Sequence, residues 1–213
     1  MAIYRSAYET CPEVCGNLER PGVALDMSLW VEHAHLDTTV DQLRIEDALN
    51  RMEWRGKSLL HVGIGNSRFA QRFAAEAALI DGLTVSRVEV ERGHSLRIPN
   101  YTVYLLNKYG REFLLTIRNR YDFVIDNNLA SYACCKYHFY RMLDNYLWAM
   151  KSGGQILTDQ RGMDFTVQEK RWTLTYEDLQ SLEEKFPIRA AKINDTVFTL
   201  VRSPRHEAQS DPP

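Results

Sequence analysis

No run of apolar residues in this 213-residue chain approaches the roughly 20 needed to cross a bilayer as a helix, so no membrane span is expected. The opening residues Met-Ala-Ile-Tyr-Arg-Ser also lack a charged segment followed by a long apolar one, and the chain is expected to be soluble and cytoplasmic. An excess of positive charge is missing too. With 26 Lys and Arg against 28 Asp and Glu the formal charge is −2, and the basic residues are scattered, which argues against nucleic acid as a partner. Cysteine is scarce. Cys11, Cys15, Cys134 and Cys135 include no close Cys-x-x-Cys pair, and a zinc site would have to join Cys11 and Cys15 to His33 or His35. Reduced thiols serving as small apolar fillers are the expectation, and no metal is assigned. What remains, 45% hydrophobic and 25% charged residues, is ordinary for one soluble globular domain.

Two phosphate-binding signatures are absent as well. A dinucleotide fingerprint would need glycine at 68, where Arg68 stands, and no Gly-Lys-Ser/Thr of a P-loop follows. In their place Lys57-Ser-Leu-Leu-His-Val-Gly-Ile-Gly-Asn-Ser-Arg-Phe-Ala70 runs from a short apolar strand through a Gly-x-Gly turn into a helical pattern. Glycines at 63 and 65 let the backbone turn sharply and approach a ligand, and the next helix offers unpaired N–H groups at its start.

The pattern around this elbow alternates strands and helices. A helix from Val40 to Met52, after Thr38 or Thr39, carries Val40, Leu43, Asp47/Ala48 and Met52 at near-helical intervals. Strand one spans Ser58 to Val62, and the helix after the elbow, with Phe69, Phe73 and Ala77 on one face, is expected to end at Asp81-Gly82. The alternating, β-branched Leu83 to Glu91 reads as strand two, with Arg92 to Pro99 a connector too short for a long helix. Strand three covers Asn100 to Leu106. A short helix follows within Arg111 to Arg120, with Phe113, Leu114 and Ile117 inward, and strand four covers Tyr121 to Asp126. Phe139, Met142, Leu143, Tyr146, Leu147 and Met150 mark an amphipathic helix stopped at Ser152-Gly153-Gly154. Gln155 to Asp159 is strand five. Thr175 to Asp178 resembles a capping box ahead of Leu179, Leu182 and Phe186, and Ile188 to Ile193 and Thr196 to Arg202 flank a tight turn at Asn194-Asp195, giving a terminal hairpin.

The order of these elements predicts an α/β, doubly wound, Rossmann-like fold, with a mostly parallel seven-stranded sheet ending in an antiparallel β-hairpin. From about Val40 to Arg202 it resembles the class I S-adenosylmethionine-dependent methyltransferases, whose sheet ends in such a hairpin strand. Residues 38–202 would then form the cofactor-binding domain, 1–37 a lid or cap segment bearing Tyr4, Tyr8, Trp30, His33 and His35, and 203–213 a disordered tail.

Leu59-Leu-His-Val-Gly-Ile-Gly-Asn-Ser67 is similar to the family's first motif, with His61 in place of an acid and Ser67 in place of the third glycine. The resemblance assigns His61, Gly63, Gly65, Asn66 and Ser67 to cofactor binding, with the two departures, His61 and Ser67, bearing on contacts to its methionine part. It gives Glu89, with Glu91 second, to the ribose hydroxyls, and Asn107 and Tyr109 to the adenine. A carboxylate suits the ribose because it accepts from two adjacent donors at once. Asp126, at the end of strand four, falls where the methyl group is delivered and is assigned to both cofactor and catalysis. Tyr132, His138 and Asp159 are the other candidates for a base. Asp126 and Asp159, with Gln160, also faintly resemble the metal-dependent catechol-type O-methyltransferases, which would imply Mg2+. Gln160 replaces that group's usual Asn, and no lysine stands in 127–133. Val88 to Glu91, Gly110 to Phe113 and Tyr121 to Asp126 look like spermidine synthases, but the N-terminal β-domain of that family is missing.

The resemblance therefore implies an enzyme that uses S-adenosylmethionine to methylate oxygen or nitrogen of a small molecule, with secondary metabolism as the expected setting. An aminopropyltransferase-like enzyme and an inactive cofactor-binding scaffold are the alternatives, and a homodimer remains open as the assembly.

Overall fold

The apolar run Ser58–Val62 forms strand β1, buried along its whole length, as expected of a strand covered on both faces. The structure, a computed structural model, describes residues 33–110, 112–118, 120–129, 136–164 and 174–204. Helix α1 (Val40–Asn50) precedes β1; α2 (Arg68–Phe73), β2 (Leu79–Thr84), α3 (Arg87–Ser95) and β3 (Tyr101–Leu105) follow it. The chain continues through α4 (Phe113–Thr116), β4 (Tyr121–Ile125), α5 (Lys136–Ala149), β5 (Met150–Asp159) and α6 (Gln160–Asp164). Helix α7 (Tyr176–Ser181) leads through a 3-10 turn (Leu182–Glu184) to β6 (Ile188–Lys192) and β7 (Val197–Arg202).

One seven-stranded sheet results, in the order β3-β2-β1-β4-β5-β7-β6. The pairs β3–β2, β2–β1, β1–β4 and β4–β5 are parallel, whereas β7 runs antiparallel to both β5 and β6. Strand alternation divides the core. Leu60, Val124 and Ile156 point to the face covered by Phe139, Leu143 and Tyr146 of α5, while Leu59, Ile125 and Leu157 meet Ile45, Leu49, Phe69 and Phe73. Each such side chain, fully removed from water, contributes about 1.5–3 kcal/mol.

The capping box at Thr175 is present, with Thr175 Oγ1 accepting from the Asp178 N–H and Asp178 accepting from the Thr175 N–H. Asn194 Oδ1 accepts from the N–H groups of Thr196 and Val197 and so closes the hairpin turn.

Several expectations are corrected. Strand two is Leu79–Thr84 rather than 83–91, and Asp81-Gly82 lies inside it instead of ending a helix. Asp81 is buried and accepts a 2.5 Å hydrogen bond from Tyr121 Oη. A Cβ on Gly82 would come within 2.7 Å of Ile64 Cγ2, so glycine marks close packing there and not a turn. Arg87–Ser95 is a helix rather than strand end and connector, started by the Ser86 side chain, which accepts from the Glu89 N–H. The buried face of α1 holds Gln42, Ile45, Glu46, Ala48 and Leu49, while Val40 and Leu43 face outward. Leu114 likewise is exposed, and β5 begins at Met150, with Gly153 at φ 74° beside a register shift opposite Tyr121 and Phe123.

Candidate functional site

The sheet reverses its order between β1 and β4, and in such folds the crevice beyond the carboxyl ends of those strands is where ligands bind. Gly63 (φ 75°), Gly65 (φ 48°) and Ser67 (φ 58°) all lie in the left-handed region, which turns the chain abruptly out of β1. A Cβ at 63 would meet nothing within 4 Å, so this glycine serves conformation and leaves open space above it. Ser67 keeps the turn that a third glycine would otherwise provide. Its side chain is fully buried, with Oγ 3.1 Å from Tyr101 Oη, so it points into the fold and away from the crevice. Asn66 binds in both directions: Oδ1 accepts from the Arg68 N–H at the start of α2, and Nδ2 donates to the Leu36 carbonyl and Thr38 Oγ1.

A cavity of about 260 Å³ lies between this elbow, α1 and the loop after β4. It is lined by His61, Gly63, Gly65, Asn66 and Glu89 among the residues expected from sequence, and also by Asp41, Gln42, Glu46, Phe69, Asn127, Asn128 and Arg161. Glu89 reaches it from the first turn of α3, held by Thr84 Oγ1, which donates to Oε2 at 2.5 Å, and by the His33 N–H, which donates to Oε1 at 3.2 Å. The end of β2 and the helix after it thus cooperate to present a buried carboxylate. Glu91, two residues on, faces solvent.

His61 is 3% exposed, and its ring lies 4.5 Å from that of Phe69. Neither ring nitrogen has a hydrogen-bond partner among the described residues, and burial drives its pKa down to about 3, so the imidazole is neutral at ordinary pH.

The expected acids are committed elsewhere. Asp126 Oδ2 accepts from Lys108 Nζ at 2.9 Å and from Tyr146 Oη at 2.8 Å, and Oδ1 accepts from the Asn128 N–H. Lys108 also donates to the carbonyls of Asn128 and Leu129, so one buried ammonium fixes the loop after β4. Burial pulls the Lys108 pKa down against the opposing pull of Asp126, and burial drives the Tyr146 hydroxyl well up. Asp159 is fully buried and paired at both oxygens with Arg44 of α1, at 2.8 and 2.5 Å. Neither Asp126 nor Asp159 lines the cavity. His138 is buried within α5, and Tyr132 lies outside the described residues, as do residues 1–32 of the expected lid and most of the tail. Asn107 and Tyr109 also stand apart from the cavity. The amide oxygen of Asn107 accepts from the Tyr109 N–H, and Tyr109 is packed in the core with its hydroxyl toward the Leu129 carbonyl.

Among the described residues no cluster of three or more His, Cys, Asp or Glu is arranged to hold a metal ion, and no helix is long and apolar enough to cross a membrane. Sequence inspection missed the contributions of Gln42 and Glu46, although their four-residue spacing puts them on one helix face, and missed Lys108 and Arg44 as the partners of the two acids.

No protein-family model matches the chain, and no curated protein matches it in sequence. Solved structures do match in fold. The N-methyltransferase NodS from Bradyrhizobium japonicum WM9, in complex with S-adenosyl-L-homocysteine, superposes with a TM-score of 0.58 at 11% identity, over 93% of this chain and 100% of that one. CalS10, an amino pentose methyltransferase from Micromonospora echinaspora with S-adenosylmethionine bound, gives 0.53 at 12% identity, over 76% and 88%. An rRNA methylase from Streptococcus thermophilus gives 0.53 at 16%, over 79% and 99%. The fold of this chain is that of the class I S-adenosylmethionine-dependent methyltransferases.

Proposed function

We propose that this chain is a methyltransferase that uses S-adenosylmethionine to methylate oxygen or nitrogen of a small molecule. The observation that carries the proposal is the sharing of one cavity by the left-handed Gly63–Gly65 elbow and the buried Glu89 carboxylate, at the switch point of a sheet with this topology. The residues present suit the cofactor. Open space above Gly63 allows close backbone approach, Glu89 offers carboxylate oxygens to a pair of adjacent hydroxyls, and His61 and Gln42, which line the same cavity, hold buried polar atoms without a partner among the described residues.

When bound, the cofactor supplies an activated methyl group on a sulfonium. The chain's own work is positioning. Asn127 and Asn128 border the cavity from the loop that Lys108 and Asp126 hold rigid, and Asn127 Nδ2 donates to Asp41 Oδ2 at 2.6 Å, joining that loop to α1. Asp126 and Asp159 act here as loop and helix anchors, because each carries a cationic partner and neither lines the cavity. Asp41, which also borders the cavity, is the carboxylate we assign to receive the acceptor's proton. Net charge and cavity size favour a small acceptor over a polyanion.

Calorimetry with S-adenosylhomocysteine tests the cofactor assignment. Native protein should bind it, and Glu89→Ala should bind at least about tenfold more weakly, as expected for lost hydrogen bonds to a charged acceptor. Absence of binding by the native protein, or equal binding by the two, refutes the assignment.

A further inference from the structure

The cavity lining includes buried polar groups that the fold leaves incomplete. Among the described residues, Gln42 Oε1, His61 Nδ1 and His61 Nε2 are buried without a hydrogen-bond partner, and both Gln42 and His61 line the cavity. Unpaired buried acceptors destabilise a fold unless a ligand or water completes them. The donor of the Gln42 amide is already spent. Gln42 Nε2 donates to Glu46 Oε1 at 3.3 Å; because a carboxylate only accepts, this fixes the amide so that its oxygen is the atom left over. Glu46 itself is fully buried, with Arg72 donating to its second oxygen from the solvent side.

Neutral His61 adds one acceptor nitrogen and one N–H. Gln42, His61 and Glu46 therefore bring an amide oxygen, an imidazole nitrogen and a carboxylate to the lining of one cavity. These three side chains suit a group with several N–H donors and a positive charge.

We propose that Gln42, Glu46 and His61 form a receptor for the α-ammonium group at the amino-acid end of the cofactor, with Glu46 supplying from α1 the carboxylate that position 61 lacks. This rests on the cofactor assignment above. The four-residue spacing of Gln42 and Glu46 puts both on the inward face of one helix, and they line the same cavity as His61 of β1, so two elements share a task that one acid would otherwise perform.

The test compares S-adenosylhomocysteine with the same thioether lacking its amino group, by calorimetry on native protein, Gln42→Leu and His61→Phe, the last keeping a ring against Phe69. Native protein should prefer the amino compound by about tenfold or more, the usual worth of hydrogen bonds to a charged group. Each variant should lose most of that preference while binding the deaminated compound as native does. Thermal unfolding of each variant identifies any that fails to fold, and the other then decides. Native binding of both compounds with equal affinity, or variants that weaken both equally, overturns the ammonium receptor and leaves the cofactor assignment standing; failure of the native protein to bind either compound overturns both.

Discussion

Acidification should destabilise this protein through a single buried ring. His61 is held neutral by burial with a pKa of about 3, against 6.5 when the ring is free in water. In the unfolded chain the imidazole takes up a proton below pH 6.5, whereas in the folded chain it does not until pH falls to about 3. The unfolded state therefore binds more protons throughout that window. The stability associated with neutral His61 is present above pH 6.5 and is lost as pH falls toward 3, at about 1.4 kcal/mol per pH unit. Between pH 7 and pH 5 only the stretch below 6.5 counts, which gives a loss of about 2 kcal/mol from this residue. Carboxylates titrate mainly below this range, but Glu46 is shifted upward by burial and opposes part of the loss. The comparison with His61→Phe removes that contribution. Urea unfolding of native protein and variant at both pH values gives the double difference directly. Equal losses of stability for the two proteins would refute the assignment of a neutral, desolvated His61.

Two substitutions probe packing and charge at the same site. Lys108→Met leaves Asp126 buried without its cation and frees the carbonyls of Asn128 and Leu129; unfolding free energy should fall by about 3 kcal/mol or more, and a loss under about 1 kcal/mol would refute the anchoring role. Gly82→Ala would bring a methyl group within 2.7 Å of Ile64 Cγ2 and 2.9 Å of Tyr101 Oη, and should cost about 1–3 kcal/mol in urea unfolding; a neutral result would show that the strand and elbow separate easily.

Long apolar or strongly periodic segments were legible from sequence alone. Ser58–Val62 and the α5 face of Phe139, Met142, Leu143, Tyr146 and Leu147 could be assigned because burial on both sides or on one stripe leaves a direct pattern in residue type. The region from 79 to 95 was not legible, for two physical reasons. Asp81-Gly82 has the composition of a turn, but the buried Tyr121 hydroxyl and the close approach of Ile64 explain both residues inside a strand. Val88 and Val90 alternate with Glu89 and Glu91, yet the hydroxyl cap of Ser86 sets a helix there. That misassignment left Glu89 as a candidate through its chemistry while misplacing it on a strand. At the site itself, the glycines and Glu89 carried a signal in type and spacing. The inward turn of Gln42 and Glu46 carried none, because polar residues on a helix are expected outside until a cavity is known to face them. The commitment of Asp126 and Asp159 to Lys108 and Arg44 was equally hidden, since those partners lie 18 and 115 residues away.

The place of β7 in the sheet has a consequence for how the protein is made. Of the strands of this sheet it is the last in chain order, yet it lies between β5 and β6, both synthesised before it. Until residues 197–202 are available, β5 presents an apolar edge of unpaired N–H and C=O groups, and β6 has no neighbour in the sheet. Assembly of the sheet is therefore completed only after its last strand has been synthesised. A nascent chain terminated before Val197 would carry an open, sticky strand edge rather than a slightly smaller version of the fold.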